Sequence, residues 1–483
     1  MPTRRSTVIS TCASVGIAIL SISAALAQDR PTPSDLIPIA SGPDSPEAQR
    51  FLSLISEAAR RHPDFGEALA RVEENRGTLD EVRSVRYPQV EAGFDTVGSL
   101  TNRTSVGGEE QRIPSQSVLR QDVVVSVSQL IFDAGSSYHR VSAVKARTGA
   151  AQAAAAEALN DVALRALAAY FDVLRYRLAA RIAAENVERH EQLTGWVIRR
   201  TETGAGSRND VLRATSRSNE AQAQVILANS ELQRSEAVFF EMFGLSPVAL
   251  PPPLLLPQTT LDKTRAVEQA MVQNASVAAA QKQVEAARDE LAAERLAAYP
   301  SVTLEVNGRQ FDATSFDDLR YDVGARLVVR YKLYSGGAER GRRKRATAQL
   351  WQARHRQDAR RLTVERLVAS SLGDIAARRE RERAFSLTVA ANLSARDASE
   401  ALFALGRTSF MDILNVQREL FTARLQWLNA IVDLYLAQYS MAAVTGDLLP
   451  FLGLEKLARV ETGLARSPRG SLEPASGQPG RFD

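Results

Sequence analysis

The chain has 483 residues, of which 45% are hydrophobic and 24% charged, and its 60 basic and 56 acidic side chains leave a net charge of +4. This composition excludes a disordered chain and a polytopic helical membrane protein, and the near balance of charge argues against a nucleic-acid binder. With one cysteine, Cys12, and four scattered histidines, the sequence predicts no disulfide, no metal site and no cofactor.

The first 27 residues have the pattern of a secretory signal peptide. Arg4 and Arg5 precede an uncharged apolar run over 8–25, and Ala25–Leu26–Ala27 is a small-residue cleavage site. The run is just long enough to span a bilayer, so a transmembrane anchor is the alternative. After a polar leader over 28–46, no apolar run of 18 residues follows. An exported chain of this kind is either soluble or inserted as a β-barrel.

Two copies of one module then follow, over 47–246 and 261–449. Three glycine landmarks recur with one offset of 202 residues, and they pair as Gly135 with Gly337, Gly204 with Gly406, and Gly244 with Gly446. Repetition at one spacing is typical of a duplicated structural unit. A proline-rich segment over 247–260 predicts a stiff extended connector, and the composition of 450–483 predicts a disordered tail.

Each copy begins with a helical pattern that stops before a Tyr-Pro pair, because the residue before a proline is pushed out of helical backbone. The pairs are Tyr87–Pro88 and Tyr299–Pro300. Alternating apolar and polar residues then predict two strands linked by a polar hairpin tip. The predicted strands span about 89–100 and 117–132 in the first copy, and about 301–311 and 319–334 in the second.

A very long helix follows each hairpin, over 134–203 and 336–405, without a proline. At 1.5 Å per residue such a helix spans roughly 105 Å. A glycine turn leads into a return helix over 210–243 and 412–445. The apolar stripe of these helices is narrow, which predicts knobs-into-holes packing in a thin structure. The fold class is therefore mainly α with a β portion.

Four strands cannot close a barrel, and open strand edges are not tolerated in lipid. Two amphipathic hairpins in an exported chain must therefore find more strands in other copies of the chain. Three copies would supply twelve strands and twelve long helices arranged as a tube, although the sequence alone leaves the number of subunits open.

The duplicated plan resembles that of TolC-like outer membrane efflux proteins. The resemblance rests on the Tyr-Pro pairs, on the strand-to-helix junctions Phe132–Gly135 and Tyr334–Gly337, and on the turn motifs Gly204-x5-Asp210 and Gly406-x5-Asp412. The second junction contains Gly336 beside Gly337. Together these motifs cover about 47–449.

The resemblance implies a homotrimer with a twelve-stranded outer-membrane β-barrel and a periplasmic α-helical barrel. It implies a passive duct that meets a periplasmic adaptor (membrane fusion protein) and an inner-membrane ABC or proton-driven transporter, with outer-membrane lipid around the barrel. The host would be a Gram-negative bacterium, and the cargo would be drugs or type I secreted proteins. A soluble periplasmic coiled-coil scaffold or adaptor is the alternative function.

The resemblance also implies a gate at the periplasmic tip. The matching positions are Asn209, Asp210, Phe403, Arg407, Thr408, Asp412 and Asn415, with the turn glycines Gly204, Gly206 and Gly406. Threefold repetition would turn Asp412 into a ring of carboxylates, which attracts cations in a narrow pore. Thr408 stands where the family usually has a basic residue, with Arg407 one residue earlier, and Asn415 stands where it has a second aspartate. The sequence therefore leaves open whether the gate is salt-bridged and whether it has a double acidic ring. Helix capping is the alternative role for Asp210 and Asp412.

A basic run over 340–345 has the composition of a nucleic-acid patch, but export favours a solvated helix face near the inner leaflet of the outer membrane. The sequence contains no G-x-S-x-G, no H-E-x-x-H and no P-loop motif. It therefore predicts a protein that is not an enzyme and that draws its energy from a partner.

Overall fold

The computed structural model describes residues 31–98, 103–106, 109–112, 119–204, 206–256, 262–311 and 320–458. The predicted signal peptide, most of the predicted tail and the tip of the second hairpin lie outside the described residues. The predicted strand ends at 99–100 and 117–118 lie outside them too.

The described residues form eleven helices and six strands. The helices are α1 (Pro33–Leu36), α2 (Pro46–Arg61), α3 (Pro63–Ser84), α4 (Ser136–Glu202), α5 (Arg208–Phe243), α6 (Lys263–Gln273), α7 (Ala275–Leu296), α8 (Ala338–Ala404), α9 (Phe410–Thr445), α10 (Leu448–Phe451) and α11 (Glu455–Ala458). The strands are β1 (Gln89–Gly98), β2 (Arg103–Val106), β3 (Glu109–Arg112), β4 (Leu119–Phe132), β5 (Ser301–Phe311) and β6 (Arg320–Arg330).

The helices form one layer in which two shorter helices lie end to end beside each long one. Both α3 and α5 pack along α4, and both α7 and α9 pack between α4 and α8. The order across the layer is therefore α3 with α5, then α4, then α7 with α9, then α8. The four-stranded antiparallel sheet has the matching order β1-β4-β5-β6. The fold class predicted from the sequence is confirmed.

The two long helices have the same length, 67 residues, and begin in the same way. Gly135 and Gly337 cap them with left-handed backbone at φ 92° and 85°. Their surroundings differ, because α4 lies inside the layer and α8 at its edge. Consequently 22 residues of α4 are buried and only 8 of α8.

The main hydrophobic core joins α2, α4 and α9 to the proline-rich connector. Tyr170 on α4 donates a hydrogen bond to the carbonyl of Pro251, and Tyr439 on α9 donates one to that of Leu254. Arg177 reaches the carbonyl of Pro247 at 2.5 Å. The described part of the connector, 247–256, contains no helix or strand and is fastened to the bundle at these three points.

The C-terminal segment differs from its prediction. The sequence predicts disorder from residue 450, and this is wrong for 450–458. Leu452 and Leu454 are buried in the main core, beside Leu448 at the start of α10. Three leucines in seven residues bury enough apolar surface to hold two short helices in place.

Other boundaries differ by a few residues. The strand predicted over 319–334 ends at Arg330. The residues predicted as a loop at the tip of the first hairpin contain β2 and β3, which pair with each other. The helical pattern before the second hairpin is divided into α6 and α7, because the Asn274 side chain accepts hydrogen bonds from the N–H groups of Ser276 and Val277 and so caps a new helix.

The capping glycine of α8 provides a test of this geometry. Gly337 has left-handed backbone, which costs a residue with a Cβ roughly 1–2 kcal/mol. We expect Gly337→Ala to lower the free energy of unfolding by about that amount. Gly341→Ala, four residues later in open space inside the same helix, should instead raise it by about 0.5–1 kcal/mol. Thermal and denaturant unfolding of the purified protein, followed by circular dichroism, distinguishes the two, and equal shifts would contradict the assigned backbone.

Candidate functional site: the helical tip, the junction and the sheet

Each long helical hairpin ends in a tight turn built around a glycine. Gly204 and Gly406 have left-handed backbone at φ 77° and 71°. In the second turn, the N–H of Arg407 donates to the carbonyl of Leu402 and that of Gly406 to the carbonyl of Phe403. A Cβ on Gly206 would lie 2.6 Å from the Thr201 hydroxyl. The geometry of the turns therefore requires all three of these glycines.

Asp412 belongs to a capping box at the start of α9. Its carboxylate accepts hydrogen bonds from the Ser409 hydroxyl at 2.7 Å, the Thr408 hydroxyl at 2.9 Å and the Ser409 N–H at 3.1 Å. The Ser409 hydroxyl in turn accepts from the N–H of Asp412. The hydroxyl of Ser409, and then that of Thr408, hold the pKa of this exposed carboxyl below its usual value. The capping role expected for Asp412 is present in the structure.

Asp210, the corresponding residue of the first copy, has different contacts. The cap of α5 is Ser207, whose hydroxyl accepts from the N–H of Asn209 at 3.2 Å. Asp210 lies in the first turn of α5, where its negative charge interacts favourably with the helix dipole but does not cap the helix. The interpretation of Asp210 as the helix cap is therefore wrong, because α5 begins two residues earlier than its predicted start.

Phe403 lies inside an aromatic cluster that joins the two hairpins. Its ring contacts Trp196 of α4 at a centroid distance of 4.8 Å and Phe410 of α9 at 5.9 Å. The guanidinium of Arg200 lies 4.8 Å from the centre of the same ring. Leu193, Val197, Ala214, Ile413 and Leu414 complete this cluster. Phe403 thus fastens the ends of both hairpins within one chain.

The remaining predicted tip residues are more accessible. Asn209 and Arg407 are exposed, and Thr408 and Asn415 are half-buried. Arg407, Thr408 and Asp412 belong to the second turn and the start of α9. Asn209 and Asp210 belong to the start of α5, after the first turn. Their role in gating stays a prediction.

Polar contacts above the tip also link the two repeats. Arg189 of α4 pairs with Glu400 of α8, and Arg424 of α9 pairs with Glu185 of α4 at 2.8 Å. Higher up, Arg175 of α4 pairs with Asp433 of α9 at 2.9 Å. Sequence reasoning missed these pairs, since their members are more than two hundred residues apart and no local spacing marks them.

His190 is buried in the same region. Burial lowers its pKa, as does the nearby Arg217, while Glu220 opposes the shift. Its Nδ1 atom is buried without a hydrogen bond. The histidine is therefore held neutral near pH 7.

The junctions between strand and helix are built on the predicted residues. Asp133 accepts hydrogen bonds from the N–H groups of Gly135 at 3.1 Å and Ser137 at 2.6 Å, so its carboxylate supports the start of α4 beside the capping Gly135. Most large aromatic residues near the junctions remain exposed. They are Tyr87, Phe132, Tyr138, Tyr299, Tyr331 and Tyr334. Pro88 and Pro300 stand directly before β1 and β5.

The sheet has one apolar and one charged face. Register partners on the apolar face include Val90 with Val127, Val127 with Val306, and Leu304 with Leu327. Several of these side chains are largely exposed; Phe94 is 60% and Val323 69% exposed. A bulge between Leu130 and Phe132 shifts the register, so that Phe132 pairs with Val302.

The other face carries ion pairs between strands. Arg326 pairs with Glu305 at 2.6 Å, and Arg309 lies 3.7 Å from Asp95 and 3.8 Å from Asp122. A sheet with charges on one face and exposed apolar side chains on the other is suited to separate water from an apolar medium. No described helix combines the length and the apolar character needed to cross a membrane.

Comparisons with known proteins identify one family. A family model described as "Outer membrane efflux protein" matches residues 54–244 and 266–447. The outer membrane efflux protein BepC of Brucella suis is 24% identical over 326 residues, which cover 67% of this chain and 72% of that protein. Protein CyaE of Bordetella pertussis is 24% identical over 425 residues, covering 85% and 88%.

Solved structures with the same fold include outer-membrane channels. The outer membrane protein VceC of Vibrio cholerae superposes with a TM-score of 0.72 at 17% identity, covering 83% of this chain and 98% of that one. CusC, described in relation to transmembrane channel formation, gives a TM-score of 0.70 at 18% identity, covering 82% and 92%. At these identities the likeness concerns the fold.

The capping box predicts a pH-dependent difference between the two tips. Asp412→Ala removes an acceptor of three hydrogen bonds, so we expect a lower unfolding temperature at pH 7. Because the folded pKa is lowered, this stabilisation is complete above the ordinary value of 3.8 and is lost as the pH falls through the lowered pKa. Wild type and variant should therefore converge in acid.

Asp210→Ala is the matched control, since it removes the carboxylate at the same helical position without a capping box. We expect a smaller shift at pH 7. Unfolding temperatures measured between pH 7 and pH 2 give both results, and a constant difference between Asp412→Ala and wild type across this range would contradict the capping contribution.

Proposed function

The chain belongs to the outer membrane efflux protein family, and from this premise we propose that three copies assemble into a passive export duct in the outer membrane of a Gram-negative bacterium. Family membership decides against the alternative of a soluble periplasmic scaffold or adaptor. The duct consists of a twelve-stranded barrel above a tube of twelve long helices.

The observation that carries this proposal is the pair of open edges. In the described sheet, β1 and β6 each pair on one side only. In the helical layer, α3 and α5 form one edge and α8 forms the other. One rotation that places β6 of one copy beside β1 of the next also places α8 beside α3 and α5. Cyclic repetition of that contact closes the sheet and the helical layer together.

The helical edges expose apolar side chains that a monomer would leave in water. On α5 these are Leu212, Ile226, Leu227, Val238 and Phe240, and on α8 they are Trp351, Leu362, Leu387 and Leu402. Rows of exposed large apolar residues on two opposite edges indicate a contact between different faces of identical subunits.

Charge on the two edges is also complementary. On α3, Glu67, Glu74 and Glu81 are exposed at a spacing of seven residues, opposite the buried face of that helix. On α8, Arg356, Arg360 and Arg361 are exposed. A head-to-tail contact would bring acidic and basic rows together, which favours one register and one order of subunits.

The faces of the sheet support one orientation in the membrane. The apolar face would contact lipid, and the face with Arg309, Glu305 and Arg326 would line a water-filled lumen. The exposed aromatic residues at the strand-to-helix junctions would lie at the membrane–water interface, where tyrosine is enriched. The long helices then extend into the periplasm.

The tip turns would form the periplasmic entrance. They are the surfaces at which a periplasmic adaptor, and through it an inner-membrane ABC or proton-driven transporter, would engage. Exposed Asp412, repeated three times, would place a ring of carboxylates at this entrance. The family resemblance makes drugs and type I secreted proteins the two candidate cargo classes, and the genes next to this one would distinguish them, since each class uses a different transporter.

The edges provide the direct test of assembly. We expect Ile226→Glu on α5 and Leu362→Glu on α8 each to abolish the trimer, because either change buries an unpaired charge in the contact between subunits. Native mass spectrometry of the detergent-purified protein measures the subunit number. Val248→Glu is the control, since Val248 is an exposed apolar residue of the connector and belongs to neither α5 nor α8. A monomeric wild type, or intact trimers of both edge variants, would overturn the proposed contact.

The tip provides a test of gating. We expect Asp412→Ala to raise the single-channel conductance and to lower the cation selectivity in a planar lipid bilayer. Asp397→Ala on α8 removes an exposed carboxylate that pairs with Arg396 outside the turn, and should leave both quantities unchanged. Unchanged currents for Asp412→Ala would remove it from the gate while leaving the assembly intact.

A further inference from the structure

A cavity of about 540 Å³ lies where the polar face of the sheet meets the upper ends of the helices. Four basic side chains from three elements and one connecting segment line it. They are Arg140 of α4, Arg330 of β6, Lys332 after β6 and Arg342 of α8. The elements converge here because the chain passes from strand to helix at this height in both repeats.

The acidic side chains of the cavity are already engaged. Both oxygens of Asp133 accept N–H groups at the start of α4. Glu294 pairs with Arg342 at 3.2 Å. Arg330 lies 3.6 Å from Glu305, whose closer partner is Arg326 at 2.6 Å.

Two cations are therefore left without a counter-charge. Among the described residues, Arg140 and Lys332 form no ion pair, and these two exposed side chains line a concave space that also has Ser137 and Ser301 on its wall. Walls of low dielectric concentrate the field of such charges and attract anions.

We propose that this cavity binds a phosphate-bearing anion. A guanidinium group matches the geometry of a phosphate with two parallel hydrogen bonds, an ammonium group adds a point charge, and the serine hydroxyls are further donors. The volume lies within the range of small-molecule sites and exceeds what a single phosphate needs, so a diphosphate or a phosphate ester fits it.

The location of this site in a lumen rests on the proposed function. If the polar face of the sheet lines the lumen, three such cavities form a basic ring at the base of the barrel, beneath the ion pairs of the strands. A duct with this ring retains multiply charged anions at the point where the cargo passes from the helical tube into the barrel. The substrate class that it favours is then the phosphorylated or multiply anionic small molecule.

Binding is measured first by calorimetry on the detergent-purified protein, with inorganic pyrophosphate as the probe. We expect saturable binding to wild type, and Arg140→Gln combined with Lys332→Gln should weaken it roughly tenfold or more, since two charge-assisted contacts are lost. Arg343→Gln with Lys344→Gln is the matched control. It removes the same charge from exposed residues of α8 that do not line the cavity, and should change the affinity less than about twofold.

A second arm distinguishes the two sources of phosphate. In planar bilayers of phosphatidylcholine, pyrophosphate should reduce the current through wild type and control but not through the Arg140/Lys332 variant. If native mass spectrometry instead finds phosphatidylglycerol retained by wild type and control alone, while pyrophosphate has no effect, the phosphate belongs to a lipid headgroup.

Equal affinity in all three proteins, or no binding of either probe to wild type, overturns the site. Trimers and channels that persist in all three proteins show at the same time that the proposed function stands. Monomers without conductance but with pyrophosphate binding lost in the Arg140/Lys332 variant alone would keep the site and overturn the duct.

Discussion

The rest of the structure depends on the hydrogen bonds that a single chain leaves unmade at its edges. β1 and β6 each have one paired side, and their outer N–H and C=O groups point away from the sheet. Such groups cost several kcal/mol each in an apolar medium. Because strands and helices follow the same order across the layer, the partner that satisfies the sheet in the proposed trimer would also cover the apolar rows of α5 and α8. One contact would thus meet two different physical requirements, and the duplicated module would need neither a closed sheet nor a buried α8 of its own.

Duplication has not produced two equivalent halves. Both long helices begin at a left-handed glycine and have the same length, yet α4 packs inside the layer and α8 at its edge. The tips differ in the same way, since Asp412 completes a capping box and Asp210 leaves that task to Ser207. Ala134 adopts left-handed backbone where the second copy has Gly336, so the first junction bears a strain that the second avoids. The repeated glycines therefore determine where the chain turns in both copies. The neighbours of each helix determine which of its side chains are buried or hydrogen-bonded.

Local patterns were enough to predict the element order and most element ends. The helix expected over 134–203 runs from Ser136 to Glu202, because glycine and proline mark the ends of helices through backbone geometry alone. Contacts between repeats could not be predicted in this way. Arg189 and Glu400 meet only because the layer places α4 near α8 at the tip, and the cavity at the junction gathers residues from both copies. The hydrogen bonds from Tyr170 and Tyr439 to the connector could not be predicted for the same reason. A proline-rich run indicates a stiff segment, but it does not indicate which surface the segment packs against.

If the tip is a gate, as proposed, the cross-repeat contacts restrict how it would open. Phe403 packs against Trp196 and Phe410, and Arg189 holds Glu400, so the lower ends of both hairpins in one chain share a core and an ion pair. Separating them would expose the aromatic cluster and leave charges unpaired. The exposed turn residues Arg407 and Asp412 lie outside that shared core. In the proposed trimer, an adaptor that engages the turns would therefore move each pair of hairpins as one body, and the entrance would widen at the three boundaries between chains.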